Sequence, residues 1–314
     1  MFSVALPTTN GGRIGMNALD GEAHMAHKGT VPKESFRPIL LELRYRGDGD
    51  DAPVTTYATG TAFFLKVDGV DYLVTARHNL TGWDLVNDKP LSSRGVSPTH
   101  IGIGFWPSQP PGGYQLAEGI AVQLFELPLY EDDLDDKGNP VPRWAEHPQL
   151  GSKMDVATMK VKIPEDRDLL YLPWESGTPS LVYSDSKLWV TQKVSIVGFP
   201  YGLNNNNLPM WVSGTIASEP EFLYRTEDDD QLPVFLVDAR TREGQSGSPV
   251  LLFRHPGEVV AKDDRSVGVV GGTQSKLLGL YTGRIRRDSD LGVVWRIGIV
   301  EDICRADARS DFKP

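Results

Sequence analysis

Short apolar runs rich in β-branched and aromatic residues recur along the chain from Pro38 onward, and clusters of Gly, Pro, Asn and Asp separate them. Runs of this length, bounded by turn residues, are typical of buried or half-buried strands. The predicted strands cover residues 39–45, 56–67, 71–76, 101–106, 120–127, 155–163, 193–199, 210–217, 233–239, 248–253, 266–272, 277–283 and 292–298. Because almost no long helical pattern accompanies them, the sequence predicts an all-β sandwich or barrel.

The segments outside the predicted strands indicate where the folded domain begins and ends and where its long loops lie. Residues 1–35 are rich in small and polar types without periodicity, so we expect an N-terminal arm, followed by one folded domain at 36–305 and a tail at 306–314. Two segments interrupt the strand pattern, an acidic one at 131–140 and one with four consecutive asparagines at 201–209. Both are expected to be solvated loops, because turn-forming residues dominate them.

Composition narrows the classes of function. The net charge of −10 argues against nucleic acid as the main partner, since phosphate binding requires a basic surface. The N-terminus shows no basic flank followed by an apolar run, and no stretch of the chain reads as a membrane span, so a cytoplasmic location without a membrane partner is expected. The single cysteine, Cys304, excludes an intrachain disulfide; it falls in a predicted short helix at 299–306 and is expected to be buried and structural.

The strongest local signal is residues 242–250, REGQSGSPV. The glycine at 244 lets the backbone turn sharply before Ser246, so that successive N–H groups can face one concavity and hold the negative oxygen of an acyl-transfer intermediate. The α/β-hydrolase elbow G-x-S-x-G does not fit, because Ser248 replaces its second glycine and Pro249 introduces a strand instead of a helix. A hairpin turn without chemistry is the alternative for this motif taken alone.

A second signal lies at residues 59–80, where two strands joined by a turn lead directly to His78. A histidine that follows a buried strand is well placed to face a cleft, although an isolated histidine in this setting is more often structural. Two further histidines, His24 and His27, do not make a metal site by themselves.

Together these segments resemble the chymotrypsin-like serine peptidases, in particular bacterial members related to HtrA-type and glutamyl endopeptidases. The matching segments are GTAFF at 60–64, TARH at 75–78, MDVATM at 154–159, VGFPYG at 197–202, VSGTI at 212–216 and GQSGSP at 244–249. The resemblance covers roughly residues 36–305 and implies two six-stranded antiparallel barrels, at about 36–165 and 185–298, followed by a short C-terminal helix.

The order of the motifs along the chain agrees with this resemblance. The resemblance implies His78, Asp155 and Ser246 as a catalytic triad. They follow one another along the chain in the order His, Asp, Ser that is typical of this fold, whereas the triads of α/β-hydrolases and subtilisins have other chain orders. Asp84 and Asp88 are the fallback for Asp155, although neither opens an apolar strand.

The resemblance also implies an oxyanion hole formed by the backbone N–H groups of Gly244 and Ser246. Gln245 stands where zymogens of the family carry an aspartate that pairs with a newly cut N-terminus, and a neutral amide cannot form that ion pair. Arg77 replaces a usual alanine, which places a long cation beside the histidine or directs it to solvent.

The specificity pocket is the least determined part of the prediction. Its expected residues are Arg240, Tyr281, Thr282 and Gly283. A cation at its base would favour an acidic side chain in the substrate, unless Arg240 pairs outside the pocket with Asp238 or Glu243.

The sequence therefore predicts a serine endopeptidase that cleaves protein or peptide substrates through an acyl-enzyme, with neither metal nor cofactor. A catalytically silent trypsin-fold binding module is the alternative. A third reading is an intracellular effector whose loops at 88–147 and 201–209 keep the cleft closed until a regulatory partner opens it.

Overall fold

The computed structural model describes residues 29–47, 52–84, 89–108, 115–116, 122–163, 168–177, 188–227, 229–261, 266–286 and 288–314. Most of the predicted arm, including His24 and His27, lies outside these residues, and so does Asp88. In the described part, no helix combines the length and the apolar character needed to cross a bilayer.

Strands dominate the N-terminal half, as the pattern of short apolar runs predicts. They are β1 (Gly29–Thr30), β2 (Pro38–Arg46), β3 (Val54–Val67), β4 (Val70–Thr75), β5 (Trp83–Asp84), β6 (Lys89–Pro90), β7 (His100–Pro107), β8 (Gln115–Leu116), β9 (Gln123–Pro128), β10 (Tyr130–Leu134), β11 (Pro140–Pro142), β12 (Ala157–Lys160), β13 (Leu169–Leu170) and β14 (Trp174–Glu175). One short helix, α1 (Arg77–Thr81), follows β4, and 3-10 turns occur at Lys33–Phe36 and Gly151–Lys153.

The C-terminal half continues the pattern. Its strands are β15 (Lys193–Gly198), β16 (Met210–Ile216), β17 (Tyr224–Arg225), β18 (Gln231–Leu232), β19 (Val234–Ala239), β20 (Ser248–Arg254), β21 (Val259–Ala261), β22 (Val267–Val269), β23 (Gln274–Arg284) and β24 (Leu291–Arg296). A 3-10 turn lies at Pro200–Gly202, and the helix α2 (Ile297–Ala306) ends this half close to the predicted bounds.

The C-terminal half forms a closed six-stranded barrel in the order β15-β16-β19-β24-β23-β20, which confirms that part of the all-β, trypsin-like fold. The N-terminal half forms a larger sheet than the six strands predicted for its barrel. Its main sheet has eight strands in the described residues, in the order β12-β4-β3-β2-β7-β13, with β14 parallel to β3 and β9 paired to β7. Within the described residues β12 and β13 do not pair with each other. Ala145 instead exchanges two backbone hydrogen bonds with Thr158 of β12 (2.7 and 3.1 Å), and the nearby Arg143 donates its N–H to the carbonyl of Leu129 (2.8 Å), directly after β9.

Two segments predicted as loops have a regular backbone. The acidic segment at 131–140 contributes most of the hairpin β10–β11, so its prediction as a loop is wrong for the strand residues. In the asparagine-rich segment, Asn205 and Leu208 exchange two backbone hydrogen bonds across Asn206 and Asn207, which both have positive φ. Asparagine tolerates the left-handed region, so this run forms a tight two-residue turn.

The sheet and the barrel share one apolar core. Its buried members include Phe63 and Val74 from the sheet, Leu251 and Trp295 from the barrel, and Cys304 from α2. Cys304 is fully buried, as predicted, and burial raises the pKa of its thiol to about 12. This shared core fixes the two halves against each other, so residues at their boundary can form one site.

The segment after α2 runs antiparallel to residues 144–146, which in turn contact β12. The amide of Glu146 donates to the carbonyl of Ala308 (2.9 Å), and the amide of Ser310 donates to the carbonyl of Trp144 (3.0 Å). The ring of Phe312 packs against that of Trp144, with 6.1 Å between the centroids. The predicted tail is therefore docked on the segment that precedes Asp155.

Candidate active site

His78 lies in the first turn of α1, directly after β4. The helix stops after five residues at Gly82, whose φ of 71° suits glycine and whose amide donates to the carbonyl of His78. Opposite, β12 pairs antiparallel with β4, with Ala157 across from Thr75. This register carries the chain before β12, including Asp155, past the residues that follow β4.

Asp155 binds His78 with both carboxylate oxygens. Oδ2 lies 2.7 Å from Nδ1 of the imidazole, and Oδ1 accepts the backbone N–H of His78 at 2.9 Å. Burial by itself lowers the pKa of His78, but the charge and hydrogen bond of Asp155, helped by the charge of Asp84, outweigh it, so the pKa is raised above the ordinary 6.5. Asp155, and not the fallback Asp84, therefore makes the direct contacts with the histidine.

Two glycines shape the turn that carries Ser246. Gly244 has a φ of 90°, and a Cβ there would lie 2.4 Å from the carbonyl oxygen of Phe199. Gly247 has a φ of 93°, and a Cβ there would lie 1.8 Å from the carbonyl oxygen of Thr61. Neither position can hold a side chain without moving the backbone.

Along the described serine turn, backbone N–H groups that donate a hydrogen bond alternate with N–H groups that do not. The N–H groups of Gln245 and Gly247 donate to the carbonyls of Arg242 (3.2 Å) and Tyr281 (2.8 Å). Among the described residues, the N–H groups of Gly244 and Ser246 donate to no acceptor in the chain. These two amides are the ones that the resemblance predicted as donors of the oxyanion hole.

The N-terminal sheet holds the serine turn directly, through contacts that the sequence motifs did not predict. The carbonyl oxygen of Ser246 accepts the backbone N–H of Thr61 (2.9 Å) and the side-chain amide of Asn79 (3.0 Å). The hydroxyl of Thr61 donates to the carbonyl of Gly244 (2.8 Å). Because Asn79 follows His78 in the chain, these bonds bring the serine turn next to the histidine–aspartate pair.

The hydroxyl of Ser246 donates to the carbonyl oxygen of Thr282 (2.9 Å). Within the described residues the Ser246 hydroxyl makes this hydrogen bond and does not make one to His78. Nucleophile–base hydrogen bonds are often long or misaligned without substrate, so this geometry is compatible with a resting site.

The predicted pocket residues lie in different environments. Arg240 is exposed directly after β19. The carbonyl of Thr282 accepts the hydroxyl of Ser246, and the next residue, Gly283, has a φ of 159°. The ring of Tyr281 is only 2% exposed and packs in the barrel core, where its hydroxyl is hydrogen-bonded to that of Thr241. Burial raises the pKa of Tyr281 to about 12. The acidic preference assigned to this pocket stays a prediction.

Arg77 does not point to solvent. It is 5% exposed, and its Nε lies 2.8 Å from a carboxylate oxygen of Glu146, itself 4% exposed. The other oxygen of Glu146 accepts hydrogen bonds from the indole of Trp144 (3.0 Å) and from the hydroxyl of Ser310. A buried charge pair therefore adjoins His78, and the segment after α2 completes it.

The fold and this site define a chymotrypsin-fold serine peptidase. Residues 60–261 match a family model described as a trypsin-like peptidase domain, which is more than half of the chain. The chain belongs to that family and is a serine endopeptidase.

Solved structures show a more distant likeness. Rv3671c protease of M. tuberculosis H37Rv, in its inactive form, is 14% identical over 87% of this chain and 90% of its own, with a TM-score of 0.42. Deg5 is also 14% identical, over 85% of this chain and 87% of its own, with a TM-score of 0.43. No curated protein matches the sequence.

Proposed function

We propose that the protein hydrolyses peptide bonds through a triad of Ser246, His78 and Asp155 and an acyl-enzyme intermediate. One arrangement carries this proposal. Asp155 holds both the ring and the backbone amide of His78, while the residue after the histidine, Asn79, binds the carbonyl of Ser246. All three side chains required for acyl transfer are thus contributed at the boundary between the sheet and the barrel.

In the first half of the reaction, the hydroxyl of Ser246 leaves the carbonyl of Thr282 and attacks the scissile carbonyl carbon. His78 takes the hydroxyl proton on Nε2, and Asp155 stabilises the imidazolium that forms. The oxygen of the tetrahedral intermediate accepts the free amides of Gly244 and Ser246. Collapse of the intermediate breaks the C–N bond, and the leaving amine takes the proton from His78.

In the second half, water attacks the ester carbon of the acyl-enzyme. His78 removes a proton from this water and returns it to the oxygen of Ser246 as the carboxylic product leaves. Every proton that His78 accepts is returned, so the cycle consumes one peptide bond and one water.

Labelling with a fluorophosphonate probe tests this proposal. Wild-type protein is expected to be labelled, and Ser246→Ala is expected to lose labelling completely. Ser248→Ala is a matched control, because Ser248 lies two positions further along the same turn and is fully buried. Labelling that survives in Ser246→Ala would remove Ser246 as the nucleophile. A wild type that is never labelled, though folded, would favour a binding module.

We also propose that the free protein rests in a form of low activity that a partner or substrate relieves. The observation that favours this is the bond from the hydroxyl of Ser246 to Thr282, which must break before the proton can pass to His78. The purified chain is expected to label slowly, and a protein or peptide ligand of the cleft is expected to accelerate it. Full reactivity of the purified chain alone contradicts this regulatory proposal.

A further inference from the structure

We propose that Thr61, Thr75 and Asn79 act as positioning residues that hold the serine turn in its reactive shape. This inference rests on the proposed function of that turn. All three side chains come from the N-terminal sheet and α1 and are at most 2% exposed. They form a polar group in an otherwise apolar boundary, and we call this group the threonine–asparagine clamp.

Thr61 makes the most direct contacts of the clamp. Its hydroxyl accepts the N–H of Phe199 (3.1 Å), which leaves its own proton for the carbonyl of Gly244 (2.8 Å). Its backbone N–H donates to the carbonyl of Ser246 (2.9 Å). Thr61 thus fixes two carbonyls of the serine turn and, in addition, the segment directly after β15.

Asn79 binds the same carbonyl of Ser246, and Thr75 orients Asn79. The hydroxyl of Thr75 donates to the carbonyl of Thr61 (2.7 Å) and accepts one hydrogen of the Asn79 amide (2.9 Å). The second hydrogen of that amide is then directed at the carbonyl of Ser246 (3.0 Å). Each donor in this series of hydrogen bonds has one acceptor, so the hydrogen bonds determine one another.

The clamp holds the two peptide planes that flank the catalytic amide. The carbonyl of Gly244 belongs to the Gly244–Gln245 peptide, and that of Ser246 belongs to the Ser246–Gly247 peptide. Between them lies the peptide whose N–H is the free amide of Ser246. The Glu243–Gly244 peptide is fixed separately, because the carbonyl of Glu243 accepts the N–H of Tyr201 (2.6 Å). The Gln245–Ser246 peptide is held at its own carbonyl, which accepts the N–H of Ser248 (3.0 Å), so the clamp fixes the peptide planes on either side and the turn fixes the plane between them.

A hydroxyl deletion with a conservative rescue tests the clamp. Thr61→Val removes the hydroxyl at nearly constant shape, and Thr61→Ser restores it. Thr158→Val is the matched control, since Thr158 is a buried threonine of the same sheet and does not bind the turn. The readout is the saturable rate of fluorophosphonate labelling, measured well below the lowest unfolding temperature of the set.

Thr61→Val is expected to lower the maximal labelling rate roughly 10- to 100-fold, because a misdirected oxyanion donor loses part of its effect. The half-saturating probe concentration is expected to stay within about threefold, and Thr61→Ser and Thr158→Val are expected to keep the wild-type rate within about threefold. A folded Thr61→Val with the wild-type maximal rate overturns the proposal.

If Thr61→Val does not fold, Asn79→Leu decides the question, because it removes one donor to the carbonyl of Ser246. A wild-type rate in folded Asn79→Leu overturns the proposal, and so does a failure of both variants to fold, which would assign the clamp to stability. If only the clamp proposal fails, the wild type is still labelled and Ser246→Ala is still not labelled. If the proposed function fails, the wild type is not labelled or Ser246→Ala keeps its labelling.

Discussion

Replacing Asp155 by Asn is the sharpest test of the histidine–aspartate pair, since it removes one charge without changing the shape of the side chain. In the structure both carboxylate oxygens accept, one from the imidazole at 2.7 Å and one from the backbone amide of His78 at 2.9 Å. An asparagine side chain offers one acceptor and one donor, so only one of these contacts can survive.

Each orientation of the new amide has a defined consequence. If its oxygen keeps the backbone N–H, its NH₂ donates to Nδ1 and forces the imidazole proton onto Nε2, which then cannot accept from Ser246. If the amide is reversed, its NH₂ faces the backbone N–H, and an unsatisfied buried donor costs about 1–3 kcal/mol. The first orientation is the less costly, so Asp155→Asn is expected to fold while holding His78 in the wrong tautomer.

The expected loss is about 10⁴-fold in the rate of acylation, or about 5.5 kcal/mol in transition-state free energy. Fluorophosphonate labelling near neutral pH measures the rate, and nitrogen-15 NMR of the imidazole reports the tautomer. Asp84→Asn is the matched control, because Asp84 acts on His78 only through its charge. An Asp155→Asn protein that labels within about tenfold of wild type would refute this reasoning.

Two further predictions concern pH and stability. Labelling requires neutral His78, whose pKa is raised, so the rate is expected to fall as the pH drops through a midpoint above 6.5; a midpoint below 6.5 in the labelling profile would count against the Asp155 contact. Glu146→Gln is expected to lose about 3–5 kcal/mol of unfolding free energy in urea denaturation, because it leaves Arg77 charged and buried, whereas replacing both residues by Met recovers most of the loss. A loss below about 1 kcal/mol in the single variant would show that water compensates the arginine.

Local patterns along the chain were sufficient to predict most strands and to indicate the residues of the proposed triad. Short apolar runs bounded by turn residues match the strands of the barrel closely, because each strand buries side chains of its own segment. The sequence motifs also indicated Ser246 and His78, since a glycine-flanked turn and a strand end are local features. The structure adds the contacts of Asp155 with the histidine, and these depend on the register of β12 against β4.

Features that depend on distant contacts could not be predicted in this way. The edge of the N-terminal sheet at β12 is joined to the segment after β9 through isolated backbone bonds of Ala145 and Arg143, and no strand pattern in the sequence marks these residues. In the sequence, Thr61 and Asn79 look like any other polar residue in or after a strand. Their role becomes visible only from their hydrogen bonds to the serine turn. Glu146 gave no signal, because its partners Arg77 and Ser310 lie far away in the sequence.

The docked segment after α2 has a consequence for biosynthesis. Ser310 is synthesised 164 residues after Glu146. The carboxylate of Glu146 therefore cannot accept the hydrogen bond from Ser310 until the residues of the C-terminal barrel have been translated. A nascent chain that already contains the residues of the proposed triad therefore still lacks one of the hydrogen bonds that hold Glu146 beside Arg77. The full set of hydrogen bonds around Glu146 is therefore made only after residue 310 has been synthesised.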